Sequence, residues 1–88
     1  MDIPDLVRVT PLPPSDLLLA YSDGALRKFS CAPYLDRGVF TRLKDSTVFA
    51  QAHVAHSTVC WPGALDIAPE TLLLRSVQVT AQEVISNY

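Results

Sequence analysis

Four side chains in this sequence are soft metal ligands, His53, His56, Cys31 and Cys60, and a tetrahedral zinc site would need all of them. The spacing opposes that use. Val54, Thr58, Val59 and Trp61 favour strands around the histidines, and on a strand the odd separation of His53 and His56 sends them to opposite faces. No metal site is expected. Cys60 with a histidine base would make a thiol nucleophile, but the surrounding residues supply no electropositive nest and no third group to orient the base. Asp36, Asp45, Asp66 and Glu70 could pair as acid and base, yet each lies at an expected turn or helix start, where capping accounts for it. Gly24, Gly38 and Gly63 stand singly and form no phosphate-cradling loop. The expectation is a protein that is not an enzyme and that carries no cofactor.

Binding chemistry has better material. Arg37, Arg42 and Lys44 form the densest basic group, with Arg27 and Lys28 earlier in the chain. With Tyr34 or Trp61 as stacking platforms they could contact nucleic acid; otherwise they are a solvated face on which Asp36 and Asp45 offset Arg37 and Lys44. Trp61, the only tryptophan, has two readings: a buried anchor that closes a sheet, or a partly exposed ledge shared with Tyr34 and Phe40. Aromatic side chains beside arginine are what protein interfaces concentrate.

These residues must be held by few elements, since 88 residues make a single small domain. Hydrophobic residues at 49% against 18% charged mark a chain that folds. The formal charge of -2 gives no general pull on phosphate backbones or anionic lipids, so nucleic-acid binding is disfavoured. The apolar run from Leu17 to Tyr21 is too short to cross a bilayer, and "MDIPDL" has no secretory pattern, so a cytoplasmic protein with reduced thiols is expected.

The run "LVRVT" predicts a strand with Val7 and Val9 on one side, stopped by "PLPPS". "DLLLAYS" and "ALRKFSC" flank Asp23-Gly24, which predicts a two-residue type I′ hairpin pairing Tyr21 with Leu26, Leu19 with Lys28 and Leu18 with Phe29. Leu17, Leu19, Tyr21 and Leu26 would then share one face, and Leu18, Ala20 and Phe29 the other. Val39, Phe40 and Leu43 fit one side of a short helix, and Asp45 caps a second turn carrying Val48, Phe49 and Ala52. "HVAH" and "TVCW" predict two short strands ended by Pro62-Gly63. Pro69 opens a last helix, with Glu70 in its first turn and Leu72 and Leu73 packing back beside Ile67. The sum is an α+β fold: a small antiparallel sheet, a three-stranded meander plus a second short hairpin, with short helices packed on it.

"SDGALRKF", "PYLDRGVFTRLKD", the following Phe49 and "VCWPGALDIAPETL" together resemble the domain of unknown function 2442 family, over about Val7 to Leu74. The resemblance implies a small bacterial α+β protein with a curved antiparallel sheet and no established activity. Relatives encoded beside a second small domain, in an arrangement similar to toxin–antitoxin pairs, and others carrying a helix-turn-helix domain imply binding and regulation. Ala68 stands where relatives place a polar helix cap. Residues 1-75 are expected to form the family-like domain, and 76-88 a C-terminal extension as strand, short helix or tail. The function expected is a protein-interaction module, antitoxin-like or an inhibitor that occludes a partner, with Tyr34, Arg37, Phe40, Arg42, Lys44 and Trp61 at the interface. The partner is another small protein or a second copy. The alternative is a component of a nucleic-acid-binding transcriptional regulator.

Overall fold

The computed structural model describes residues 3–80 and residue 82. Two antiparallel sheets carry the fold. Strands β1 (Leu6–Leu12), β2 (Asp16–Tyr21), β3 (Leu26–Ser30) and β7 (Val77–Val79) form one, in the order β1-β2-β3-β7. Strands β4 (His53–Ala55), β5 (Thr58–Trp61) and β6 (Leu65–Asp66) form the other. Between β3 and β4 the chain runs through 3-10 turns at Ala32–Tyr34 and Gly38–Lys44 and helix α1 (Ser46–Phe49); helix α2 (Pro69–Arg75) precedes β7. The α+β class and the meander agree with the sequence. Of the forms open to residues 76-88, residues 77–79 take the strand; 81 and 83–88 lie outside the described residues.

The β2–β3 register is one residue away from that predicted. Leu19 faces Arg27, Leu18 faces Lys28 and Leu17 faces Phe29. The reason is the turn: Tyr21 N–H donates to Ala25 O, so Ser22, Asp23 and Gly24 form a three-residue loop, and only Gly24 takes a positive φ, 87°. Asp23 stays out of the left-handed region and accepts the Ala25 N–H on Oδ1 at 3.0 Å. This is a type I turn closed by a left-handed glycine, the usual three-residue hairpin, in place of the I′ turn. A slip of one residue moves side chains between faces. Phe29 thereby joins Leu17, Leu19 and Tyr21 in the core, and Leu26 moves to the outer face with Leu18 and Ala20.

Strand β1 also differs. A bulge between Leu6 and Arg8 leaves Val7 59% exposed while Leu6 is buried, so Leu6 and Val9, not Val7, pack inward. The strand continues through Pro11, paired with Leu17, because β1 is a sheet edge among the described residues and its proline needs no outward donor.

One core joins everything. Leu17, Leu19, Tyr21 and Phe29 meet Val59, Trp61 and Leu65 from the second sheet, with Leu43, Phe49, Ile67 and Leu72 filling between. The Gly38–Lys44 segment is 3-10, whose period of about three residues aligns positions i and i+3. Phe40 and Leu43 therefore face the core side together, and Val39, expected beside them, is 60% exposed. Asp45 caps α1 as predicted, accepting the Thr47 N–H at 2.9 Å.

Helix α2 starts on Ala68, which makes no side-chain cap bond, with Pro69 in the first turn and Glu70 where the helix dipole favours an acid. Ala68→Ser should supply the missing acceptor and raise stability by about 1 kcal/mol in urea unfolding. No change, or a loss, would show that the N-terminal amides of α2 are already served by water.

Candidate binding site

The 3-10 turns bring Tyr34 and Phe40 over the end of β3. Tyr34 stacks on Phe29 with ring centroids 5.8 Å apart and 16° between planes, and Phe40 tilts against Tyr34 at 6.1 Å and 54°. Opposite them run Asp66, Ile67, Ala68 and Thr71 at the approach to α2, and the two walls enclose a cavity of about 240 Å³. Phe29 is buried within it, Tyr34 and Phe40 are half-buried, and Asp66 and Ala68 are exposed at its rim. Arg37 lies outside this wall with its guanidinium carbon 5.9 Å from the Tyr34 ring centroid, a cation–π distance.

The structure thus joins three of the expected interface residues, Tyr34, Arg37 and Phe40, and separates the others. Lys44 Nζ sits 2.6 Å from Asp36 Oδ1, and its hydrogen bond and positive charge hold the Asp36 carboxyl below its ordinary range. The partner of Lys44 is therefore Asp36, not the Asp45 expected from sequence, because Asp45 is engaged as the α1 cap. Arg42 folds over the Pro62-Gly63 turn, donating to Pro62 O at 3.4 Å. A Cβ on Gly63 would come within 2.5 Å of Arg42 Nη2, the free end of an exposed side chain, so it is the φ of 90° that reserves this turn position for glycine.

Trp61 takes the anchor reading. It is 2% exposed, its Nε1–H donates to Phe49 O at 3.1 Å, and its ring lies 6.4 Å from that of Phe49. Being buried, it offers no accessible ledge. The residues that do complete the cavity, Phe29, Asp66, Ile67, Ala68 and Thr71, are scattered in sequence. The sequence offers Phe29 and Ile67 as packing residues, Asp66 as a capping acid and Ala68 as an uncapped helix start, and it carries no signal for Thr71 or for their meeting at one cavity.

The side chains with catalytic potential are placed differently. His53, Cys60 and Asp66 stand in a row across β4, β5 and β6, each facing the next. Cys60 Sγ–H points to Ala55 O at 3.7 Å, and His53 Nδ1 lies 3.1 Å from Gln51 O, so each is engaged by a backbone carbonyl. Burial and the Asp66 charge push the Cys60 thiol up, which keeps it protonated and weakly nucleophilic. His56 sits in the β4–β5 turn, and Cys31 is buried. Among the described residues no three His, Cys, Asp or Glu side chains gather to hold a metal ion. Neither cysteine is in a disulfide.

Burial, helped by the Asp16 charge, pushes Cys31 up from near 9 to about 12. The folded pKa exceeds the unfolded one, so this contribution to stability is complete below pH 9 and is lost as pH rises toward 12. Stability should fall through that window by up to about 1.4 kcal/mol per pH unit from this thiol, and Cys31→Ala should flatten the slope. Urea unfolding at stepped pH measures it; equal slopes in both proteins would show that Cys31 is not the group responsible.

No helix among the described residues is long and apolar enough to cross a membrane. Comparison with curated proteins and with solved structures gives no match. A family model described as "Protein of unknown function (DUF2442)" matches residues 6–78, running from the first residue of β1 into β7 and so over both sheets and both walls of the cavity. By that match the chain belongs to the DUF2442 family.

Proposed function

We propose that this chain is a protein-interaction module of the bacterial cytoplasm. It acts by occlusion, as an antitoxin-like protein or an inhibitor that covers the working surface of another protein, and it performs no catalysis. The observation that carries this reading is the cavity between the 3-10 turns and the start of α2. It has a buried aromatic floor in Phe29, half-buried aromatic walls in Tyr34 and Phe40, Asp66 at its rim, and the opposite charge of Arg37 against the outside of the Tyr34 wall. An apolar side chain of a partner, seated in a desolvated pocket with charged residues around it, is the arrangement that concentrates binding energy at protein interfaces.

Arg37 and Asp66 then fix orientation, because each favours an opposite charge on the incoming surface and penalises a like one. The absence of catalysis accords with the protonated thiols and with the carboxylates already engaged at Asp36 and Asp45.

The test is affinity capture from the native host at moderate salt, with and without nuclease, followed by mass spectrometry. One stoichiometric protein that survives nuclease supports the proposal. Nucleic acid, or partners lost on nuclease treatment, would replace it with the regulator reading.

A further inference from the structure

The four-stranded sheet ends on β7, which among the described residues pairs with β3 alone. Ladder bonds alternate along an antiparallel strand, so the direction of every backbone group in β3 follows from two bonds. Tyr21 N–H donates to Ala25 O, and Cys31 N–H donates to Ser15 O. The odd-numbered residues of the segment 25–31 therefore turn their amides and carbonyls toward β2, and the even-numbered ones toward β7. Leu26 faces Val79 and Lys28 faces Val77, so Val77 and Val79 direct their backbone groups inward to β3. Gln78 directs its N–H and C=O outward, along an edge that is open among the described residues.

An open edge is ordinarily blunted by charge, proline or a bulge. Strand β7, Val-Gln-Val, carries no charge and no proline, and Val77 is 66% exposed. We infer that β7 is a self-association edge: a second copy of this chain pairs with it antiparallel, about a two-fold axis at Gln78. The two Gln78 residues exchange both main-chain hydrogen bonds, and Val77 of each copy lies opposite Val79 of the other.

A second copy is favoured over an unrelated strand because the segment is its own complement. Rotation about Gln78 returns Val-Gln-Val to itself, sets the two Gln78 side chains amide to amide, and brings no like charges together within the strand. The outer face supports the same conclusion. Ala20, Leu26 and Val79 form an apolar row that stops at β7 in one copy and runs on across the two-fold to Val77 of the next, where it ends at that copy's Lys28. A domain this small buries a limited share of its surface alone, and pairing adds to it. The inference uses no residue of the aromatic cavity and stands or falls apart from it.

The experiment uses the full chain with Cys60→Ser, which leaves only the buried Cys31 as native thiol. Sedimentation should show a reversible dimer whose fraction rises with concentration, and Val77→Lys should abolish it with an unchanged thermal transition. Facing residues of this kind of pair lie about 5.5 Å apart at Cα, within disulfide reach. Gln78→Cys should therefore cross-link to itself on mild oxidation, at least tenfold faster than Val7→Cys, an equally uncharged exposed position on the other edge strand. Val77→Cys should cross-link to Val79→Cys on a different chain and not to itself. A chain that stays monomeric at every concentration, or cross-linking at Gln78→Cys no faster than at Val7→Cys, would overturn the inference.

Discussion

Replacing Trp61 with alanine is expected to remove most of the folding free energy of this domain. Deleting a buried tryptophan costs about 3–5 kcal/mol through lost burial and the cavity left behind, against a total of about 5–15 kcal/mol for a typical domain. A chain of this size belongs near the lower end of that range. Trp61 is also where the two sheets and α1 are joined: it packs on Phe49, bonds the Phe49 carbonyl, and belongs to the core cluster with Val59 and Leu65. Trp61→Phe keeps an aromatic ring there and gives up the indole donor, so it should cost less, about 1–3 kcal/mol. Urea unfolding followed by circular dichroism measures both. A loss below about 1 kcal/mol for Trp61→Ala would mean that the site collapses freely and that Trp61 is no anchor.

The second large effect is expected at Arg27. Its guanidinium reaches from β3 to the end of α2, donating through Nε to Ser76 Oγ at 2.5 Å and through Nη2 to Ser76 O at 2.8 Å and Leu73 O at 3.3 Å. The group is part-buried, and Ser76 is 6% exposed. Arg27→Met retains the aliphatic stem and removes every donor, which strips the Ser76 carbonyl of its charged partner. The expected cost is about 2–4 kcal/mol, because bonds to a charged group are the stronger kind and a buried acceptor left open adds its own penalty.

The loss should be regional. Leu73 O also accepts the Ser76 N–H and hydroxyl, so the helix end is not left bare, but the side-chain tie from β3 to the junction of α2 and β7 passes through Arg27. Hydrogen exchange should quicken over residues 73–79 well beyond any change in β2. Arg27→Lys should recover part of the stability, since it keeps a charge but lacks the planar fork. Uniform loss of protection along the chain would show that Arg27 supports the whole fold and not this junction.

These residues also show what the sequence could and could not disclose. The elements were legible because alternation and punctuation are local: the Asp-Gly turn, the Asp45 cap and Pro69 all acted where they stood. Register was not, because it depends on whether the chain spends one positive-φ residue or two at a turn. Asp23-Gly24 has the composition of a two-residue turn and spends one; His56 and Ser57, which have neither glycine nor asparagine, spend two, with φ of 53° and 64°. That reversal moved Phe29 into the core and Leu26 out of it.

The binding site was legible only in part for a similar reason. Tyr34, Arg37 and Phe40 are close in sequence and stay together in space. Their opposite wall arrives from Asp66, Ile67, Ala68 and Thr71 after a whole second sheet has intervened, and no local pattern joins the two. Trp61 stood out by rarity and is spent on packing. Lys44 and Arg42 stood out by charge, and each is occupied by a neighbour, Asp36 and the Pro62-Gly63 turn respectively.

Under the proposed function a partner protein seats a side chain between these walls. Ala68→Trp addresses it most directly, because Ala68 is exposed at the cavity rim, makes no cap bond, and an indole there would fill the mouth. Titration of the captured partner against both proteins, with thermal transitions recorded alongside, should show affinity reduced at least tenfold for Ala68→Trp and little change in melting. Equal affinity for the two, with the fold intact, would contradict the account.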